Sequence, residues 1–211
     1  AGEIADYYPD KNVTLVQKSN RLLNGFREKS SEVSHNLLIK LGVKVLLNET
    51  ATVKENGDLM ANNSLQLINA DLVYSCTGVK ANTGWLDGSL NTALNSQGQL
   101  RVDEFLRVRP YPHLFAIGDC SDIDEAKLGY LADIQGQAVA KNMVRLLKRK
   151  ELKGYKTKSD TVLIPTGRKS GLVQLPFAVT TSKTMVNIKQ KDLFILKAFK
   201  GLGVKQKINQ V

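Results

Sequence analysis

The sequence predicts an α/β protein in which parallel sheets are combined with a β-meander and a small α+β segment at the C-terminus. Apolar runs at residues 13–17 and 43–47 are typical of buried strands, and the apolar positions of residues 28–41 form a helical stripe between them. Because strand, helix and strand follow one another, these residues predict a βαβ unit. A further strand and a long helix are predicted at residues 114–117 and 126–148.

Turn and cap residues define the N-terminal elements. The chain opens with the last turns of a helix, and Pro9 and Asp10 then predict a turn, so the βαβ unit is entered halfway. Gly42 stands where a left-handed glycine closes a helix. Asn56 and Gly57 separate two apolar runs, which is a strong signal for a hairpin of the β-meander.

The remaining elements are predicted from shorter patterns. Residues 72–76 predict the strand that follows the meander, and the Gly-, Asn- and Ser-rich residues 77–99 predict a crossover between domains. Another strand is predicted at residues 100–108. After the long helix, an exposed basic linker at residues 148–158 precedes two apolar runs that frame a turn at residues 167–171.

Composition limits the classes of function. With 211 residues, 42% of them hydrophobic, the chain can bury a core, and no run approaches the roughly 20 apolar residues that cross a bilayer. The first residues lack the pattern of a secretory signal, so we expect a soluble or peripheral protein. Cys76 and Cys120 form no CxxC pair and there are two histidines, which argues against metal and dithiol chemistry. Cys76 is predicted to be a small apolar core residue.

Charge is distributed unevenly along the chain. Residues 141–211 hold 17 Lys and Arg against 3 Asp and Glu, a net charge of +14, whereas residues 1–140 have a net charge of −4. Such a basic segment suits an anionic membrane surface, nucleic acid or an acidic partner, although for most of these lysines a solvated surface is the better interpretation. Because no recognised DNA-binding motif supports it, nucleic acid is not expected as a partner.

Gly118 and Asp119 carry the clearest chemical signal. A carboxylate accepts hydrogen bonds from sugar-like hydroxyls, and glycine lets the backbone approach a cofactor closely. The start of the following helix offers unpaired N–H groups and the positive end of a dipole, which favour negative charge. Gly and Asp also end strands for purely turn-forming reasons, so the order of the surrounding elements decides between the two interpretations.

Five stretches of the sequence resemble those of a known class of flavoprotein: AGEIADYYPDKNVTLVQK, YSCTGVKANT, LFAIGDCSDIDEAKLGYLADIQGQAVAKNMV, IPTGRKSGLVQLPF and KQKDLF. Together they resemble the apoptosis-inducing-factor-like flavoproteins, in the branch that contains ferroptosis suppressor protein. The resemblance implies part of a two-dinucleotide-binding-domain fold with Rossmann-like parallel sheets. It implies a partial NAD(P)H-binding domain at residues 1–78, the C-terminal part of an FAD-binding domain at residues 79–150, and a basic segment at residues 151–211 that completes the flavin and quinone site.

The resemblance also implies an activity. Members of this branch use FAD to pass electrons from NADH or NADPH to a quinone, so we expect an FAD-dependent NAD(P)H:quinone oxidoreductase. The expected partners are a quinone and an anionic membrane surface. The expected location is cytoplasmic, with peripheral attachment to the mitochondrial outer membrane or to lipid droplets.

Individual roles follow from the resemblance. Gly118 and Asp119 match the flavin-contacting turn, and Thr77 and Gly78 match the domain junction near the cofactors. Three catalytic positions that line the flavin ring and the quinone pocket are implied as well: Tyr130, Lys189 and Phe194. Before the resemblance is counted, Tyr130 and Phe194 are equally well interpreted as core aromatics.

The end of the first strand bears on the nicotinamide. An NAD-preferring site usually has an acidic residue there, which binds the ribose 2′-hydroxyl, but this chain has Lys18 and Arg21. Both could meet a 2′-phosphate or be solvated loop charges. Lys18 is therefore a candidate cofactor-binding residue, and the choice between NADH and NADPH stays open.

The sequence departs from this branch in one respect. The first stretch resembles the tail of a helix that follows a GxGxxG phosphate loop in the family, and neither that loop nor the glutamate that follows it is present. We therefore expect the adenosine-diphosphate half of the flavin site and the first strand of the nicotinamide domain to be missing. The alternative hypothesis is a truncated, non-catalytic homologue that binds a membrane or a partner.

Overall fold

The computed structural model describes residues 1–55, 59–78, 80–86, 88–156, 161–190, 195–201 and 203. These residues form two compact units, Ala1–Val73 with Ser159–Val211 and Tyr74–Lys158. The helices are α1 (Gly2–Tyr7), α2 (Glu28–Lys40), α3 (Gly129–Leu147), α4 (Lys183–Gln190) and α5 (Ile195–Gly201). The strands are β1 (Thr14–Val16), β2 (Lys44–Leu46), β3 (Ala51–Val53), β4 (Leu59–Ala61), β5 (Leu67–Ile68), β6 (Arg107–Val108), β7 (Tyr111–Phe115), β8 (Val162–Pro165), β9 (Gly171–Gln174) and β10 (Val179–Thr180).

The βαβ unit predicted near the N-terminus is confirmed. Strands β1 and β2 pair in parallel with Leu15 opposite Val45, and α2 packs against β2. Gly42 follows α2 with φ of 77°, the left-handed conformation in which glycine closes a helix without strain from a Cβ. A small apolar core lies in this part of the first unit and consists of Ala5, Leu22, Leu38 and Val43.

The β-meander is also confirmed. Strand β4 pairs antiparallel with β3 on one side and with β5 on the other, with Thr52 opposite Met60. The predicted Asn-Gly turn falls on residues 56–58, which lie outside the described residues. In this register Ala61 is completely buried, whereas β3 is exposed along its length.

The C-terminal strands complete the first unit. Strands β8, β9 and β10 form an antiparallel sheet in which β9 is central, and the predicted turn at residues 167–171 connects β8 to β9. Helix α4 packs against β8 and β9, and α2 contacts β9. Strand β9 is buried at all four of its positions because it is covered in this way.

The second unit is organised around β7 and α3. Strands β6 and β7 pair antiparallel with a β-bulge, and α3 packs against the 3₁₀ turn Gly118–Cys120 that follows β7. The helix predicted at residues 126–148 is confirmed with its first residue at Gly129. The buried apolar residues of this unit's core are Leu86, Ala93, Leu100, Val108 and Ala116.

Two strand predictions were wrong. Residues 72–76 form no strand in the described part of the chain, and Cys76, predicted to be a core residue, is exposed together with Leu72 and Tyr74. An apolar run becomes a strand only where a neighbouring strand supplies hydrogen-bond partners, and none pairs with these residues here.

Residues 100–108 also differ from the prediction, because a turn interrupts them. The Asp103 carboxylate accepts hydrogen bonds from the backbone N–H groups of Phe105 and Arg107, both at 2.9 Å. This carboxylate closes a local turn of the kind that aspartate favours. Only Arg107–Val108 remains as a strand.

Among the helices in the described residues, none is long and apolar enough to cross a membrane.

Candidate functional site

The chain turns sharply after β7, where Gly118 and Asp119 lie. Gly118 has φ of 66°, and a Cβ placed on it would lie 3.3 Å from the Cβ of Ala132 on α3. Left-handed backbone and restricted space therefore both favour glycine at this position. Asp119 is exposed on the same turn, so its carboxylate is accessible to a ligand.

The N-terminus of α3 lies beside this turn. Within the described residues, no side chain caps the helix at Leu128, and its first turn contains no acidic residue. The backbone N–H groups of a first turn and the helix dipole give such an end a partial positive charge. The turn that presents Asp119 and a helix end suited to an anion thus belong to one part of the second unit.

A series of hydrogen bonds connects the Gly118–Asp119 turn to α3 and to the loops on either side of that helix. The backbone N–H of Gly118 donates to Oε1 of Gln135 at 2.7 Å, and Nε2 of Gln135 donates to Oε2 of Glu125 at 2.8 Å. The hydroxyl of Tyr155 donates to the same carboxylate, at 2.9 Å from Oε2 and 3.2 Å from Oε1. We call Gln135, Glu125 and Tyr155 the Gln135 network.

Sequence reasoning missed this network. One signal was present, because Gln135 lies four residues after the buried Leu131 and therefore on the apolar face of α3, where a polar residue needs a partner. Glu125 and Tyr155 carry no such local signal, since they lie in loops on either side of the helix.

The surroundings of Tyr155 change its acidity. Burial, together with the hydrogen bond to the negatively charged Glu125, raises the pKa of Tyr155 to about 12. The nearby Tyr130 contributes in the same direction. The Tyr155 hydroxyl therefore stays protonated, and remains a hydrogen-bond donor, throughout the physiological pH range.

Tyr130 lies in the first turn of α3 and is 43% exposed. An aromatic residue with this exposure is not part of the core of its unit, so the interpretation of Tyr130 as a core aromatic is wrong. Its ring is accessible at the same end of α3 that lies beside the Gly118–Asp119 turn.

Thr77 and Gly78 line an open cavity of about 680 Å³ in the second unit. Lys80 and residues 94–98 form the rest of the lining, and Gly78 has φ of 117°, which favours glycine. Asp119 is not among the residues that line this cavity. The cavity therefore brings Thr77 and Gly78 together with the basic side chain of Lys80.

Lys18 and Arg21 differ in their surroundings, although both follow β1. The Arg21 guanidinium donates to the backbone carbonyls of Asn24 at 2.9 Å and Phe26 at 3.1 Å, so it braces its own loop. Lys18 is exposed in that loop. Of the two basic residues, Lys18 is the one available to an incoming phosphate.

The two C-terminal candidates fall at the edge of the described chain. Lys189 belongs to α4, but its side chain lies outside the described residues, as does the whole of Phe194. Both remain predictions. In the described part of the chain, no group of His, Cys, Asp and Glu is arranged to hold a metal ion.

Comparison with known proteins identifies the family of the chain. The sequence model described as "Pyridine nucleotide-disulphide oxidoreductase" matches residues 1–141, which is more than half of the chain. The chain belongs to this family. Its turn at Gly118 and Asp119 and the first part of α3 lie within the matched region.

Among the curated proteins, relatives in this oxidoreductase family agree with the resemblance predicted from the sequence. Human ferroptosis suppressor protein 1 is 31% identical over 214 residues, a region that covers 95% of this chain and 56% of that protein. The mouse protein of the same name is 32% identical, with the same coverage of both chains. Apoptosis-inducing factor homolog B of Dictyostelium discoideum is 29% identical over 92% of this chain and 57% of that protein. The chain spans about half the length of the curated relatives it matches.

Solved structures confirm the predicted fold class. Reduced CoADR-RHD of Bacillus anthracis superposes with a TM-score of 0.63 at 19% identity, over 96% of this chain and 34% of that one. A protein described as an FAD-dependent pyridine nucleotide-disulphide oxidoreductase from Desulfovibrio vulgaris gives a TM-score of 0.60 at 24% identity, over 81% of this chain and 45% of that one. At these identities the likeness establishes the fold alone.

Proposed function

We propose that this chain forms part of an FAD-dependent NAD(P)H:quinone oxidoreductase and that its second unit binds the flavin. The observation that carries the proposal is the exposed Asp119 on a left-handed glycine turn beside the N-terminus of α3. Membership of the pyridine nucleotide-disulphide oxidoreductase family supports it. FAD, when bound, accepts hydride from a nicotinamide and transfers electrons one or two at a time.

The residues of the second unit fit one side of such a cofactor. A carboxylate at Asp119 accepts hydrogen bonds from the hydroxyls of a ribityl chain, and the left-handed Gly118 lets the chain turn close to α3 so that this carboxylate is exposed. The helix N-terminus favours the negative charge of a reduced flavin. Together these groups would orient the cofactor and stabilise its reduced form.

Other residues are proposed to act on the substrates. Lys18 would meet the nicotinamide nucleotide, and Thr77 and Gly78 would contact a cofactor. A flat quinone head suits an aromatic face such as that of Tyr130, and we assign the same role to Phe194. The ammonium of Lys189 would stabilise negative charge that develops on a quinone oxygen.

We further propose that the quinone is met at an anionic membrane surface. The net charge of +14 on residues 141–211 supports this partner, since basic segments are attracted to anionic lipids. The quinone itself is proposed from the resemblance to the branch that contains ferroptosis suppressor protein. The human protein of that name is 31% identical to this chain.

The proposal is tested by changing Asp119 in the full-length protein. We expect Asp119→Ala to weaken FAD binding about 10- to 100-fold, because a hydrogen bond to a charged group contributes roughly 1.5–3 kcal/mol. The measurement is a titration of the apoprotein with FAD, followed by flavin absorbance and fluorescence. Asp124→Asn, which changes another exposed aspartate near the turn, is the matched control and should bind FAD as the wild type does.

The same protein preparations distinguish the proposed enzyme from a non-catalytic binding module. A yellow wild-type protein that reduces a vesicle-dissolved quinone with NADH or NADPH agrees with the proposal. A wild type that binds anionic vesicles but no flavin would favour the non-catalytic alternative. Equal FAD affinity for the wild type and Asp119→Ala would remove Asp119 from the site.

A further inference from the structure

The Gln135 network connects the Gly118–Asp119 turn with two other segments of the second unit. Gln135 lies on α3, Glu125 lies in the loop that precedes the helix, and Tyr155 lies in the segment that follows it. Gln135 is only 2% exposed. Both oxygen and nitrogen of its amide form hydrogen bonds to protein groups, so the fold holds the amide in place.

The orientation of the Gln135 amide is fixed by its partners. Oε1 accepts the Gly118 N–H, and Nε2 faces the Glu125 carboxylate, which can only accept while ionised. A flipped amide would set a donor against the Gly118 N–H and an acceptor against a carboxylate. Glutamine is therefore the residue that matches both neighbours at once.

The network is anchored at its far end. The Tyr155 hydroxyl donates to Glu125, and the Tyr155 backbone N–H donates to the carbonyl of Glu104 at 2.7 Å. The segment that contains Tyr155 is also held at Lys153, whose backbone forms two hydrogen bonds of 2.9 Å with the side chain of Asn142 on α3. Glu125 is thus fixed from both sides, and so is the amide that depends on it.

We propose that Gln135, supported by Glu125 and Tyr155, is a positioning residue for the flavin, because it holds the Gly118–Asp119 turn where the Asp119 carboxylate meets the ribityl chain. This inference rests on the proposed function. The network does not touch the cofactor. It restricts the turn before the cofactor binds, so that less ordering is needed on binding.

Loss of the network has a definite physical consequence. Gln135→Leu keeps most of the side-chain volume but leaves the Gly118 N–H without its acceptor and Glu125 without one donor. Tyr155→Phe keeps the ring and removes only the hydroxyl. The first change acts directly on the turn, whereas the second acts one residue further away and should have the smaller effect.

The test uses the full-length holoprotein and its apoprotein. For Gln135→Leu we expect a FAD dissociation constant about five- to tenfold higher than that of the wild type, and for Tyr155→Phe a rise of about two- to fivefold, as expected for hydrogen bonds of typical net strength. Tyr111→Phe is the matched control, because it removes from the same unit a hydroxyl whose hydrogen-bond partner is Thr92 and not a member of the Gln135 network. It should leave FAD affinity unchanged.

A double-mutant cycle distinguishes positioning from general stability. If Gln135 acts through Asp119, Gln135→Leu should weaken FAD binding much less in an Asp119→Ala background than in the wild type. Because the turn and the N-terminus of α3 are proposed to stabilise the reduced flavin, the midpoint potential should fall in Gln135→Leu and fall less in Tyr155→Phe.

Failure of the inference is distinguishable from failure of the proposed function. A wild type without FAD affinity overturns the proposed function. A wild type that binds FAD through Asp119, with unchanged affinity and midpoint potential in both Gln135→Leu and Tyr155→Phe, overturns the inference alone. Independent, multiplicative effects of Gln135→Leu and Asp119→Ala overturn it as well. If Gln135→Leu does not fold, Tyr155→Phe and its cycle with Asp119→Ala decide.

Discussion

Glu49 is a buried carboxylate that holds the β-meander to its neighbouring loop. Its Oε1 accepts the backbone N–H groups of Asn63 at 2.7 Å and Thr50 at 3.1 Å, and its Oε2 accepts that of Ser64 at 3.0 Å. The hydrogen bond from Asn63 lowers the pKa of Glu49 below its ordinary value of 4.5, against the opposing effect of burial. The ionised form is therefore the one that stabilises the fold.

Replacing Glu49 tests this role through the pH dependence of stability. Since the folded pKa is lowered, the contribution of Glu49 is present above pH 4.5 and is lost as the pH falls through the folded pKa. We expect Glu49→Gln to lower the urea-unfolding midpoint at pH 7, and the difference from the wild type to shrink at acidic pH. Glu55→Gln, at an exposed position of the same meander, should change neither.

At the residue scale, the sequence predicted features that depend on a local pattern. The turn at Gly118 and Asp119 is one of them, because a glycine that follows a strand and precedes a helix is such a pattern, and its contact with a flavin stays a prediction. The hydrogen bond between Tyr155 and Glu125 was not predicted, because the fold creates it between distant loops. Cys76 was misjudged for the same reason, since its burial depends on whether the strand around it finds a partner.

At the scale of elements, the contact between α2 and β9 joins residues from opposite ends of the chain. Oε1 of Gln174 accepts hydrogen bonds from the Ser30 hydroxyl at 2.7 Å and from the Arg27 N–H at 3.0 Å. Gln174 and Ser30 are 1% and 0% exposed, so water cannot replace these bonds. The contact therefore ties the C-terminal sheet to the βαβ unit.

Removal of the Gln174 amide should weaken the first unit. Gln174→Leu leaves the buried Ser30 hydroxyl and the Arg27 N–H without this acceptor, and we expect a loss of about 1–3 kcal/mol in the free energy of unfolding. The measurement is urea denaturation followed by circular dichroism. Gln66→Leu, at an exposed position of the same unit, serves as the control.

The partner in this contact supplies a second check. In a Ser30→Ala background, Gln174→Leu should lower the free energy of unfolding by less than it does in the wild type. One of the two donors that Gln174→Leu leaves without an acceptor is then absent. Equal costs of Gln174→Leu with and without Ser30→Ala would contradict a direct interaction between the two side chains.

Elements with a clear period were predicted well and elements that depend on partners were not. The stripe of α2 and the turn glycine that follows it are fixed by residues within one segment. The apolar runs at residues 72–76 and 100–108 both have the composition of strands. In the described part of the chain, no strand pairs with the first run, and a turn closed by the Asp103 carboxylate interrupts the second. Composition indicates what a segment can form, and hydrogen-bond partners decide what it does form.

At the scale of the whole molecule, the first unit contains both ends of the chain, and the second unit is formed by the segment between them in the sequence. A local pattern cannot predict this arrangement, because it arises from long-range packing such as that of α2 on β9. Family membership, by contrast, was predictable from motifs: the resemblance drawn from five short stretches is confirmed by the match over residues 1–141 and by curated relatives.

The charge of the molecule belongs to this scale too. The net charge of +14 on residues 141–211 offsets the net −4 of the rest and gives the total of +10. In the described part of this segment the lysines and arginines form no ion pair, since the salt bridges of the described residues all lie before residue 108. This net positive charge supports the proposed attraction to anionic lipids.

The central claim is that Asp119, presented by the Gly118 turn, binds the flavin. Its most direct test is a crystal structure of the full-length protein with FAD, in which the distance from the Asp119 carboxylate to the nearest ribityl hydroxyl oxygen is measured. We predict a hydrogen bond of about 2.5–3.0 Å, with Gln135 still accepting the Gly118 N–H. A flavin bound elsewhere, or an Asp119 carboxylate more than about 4 Å from every ribityl oxygen, would contradict the claim.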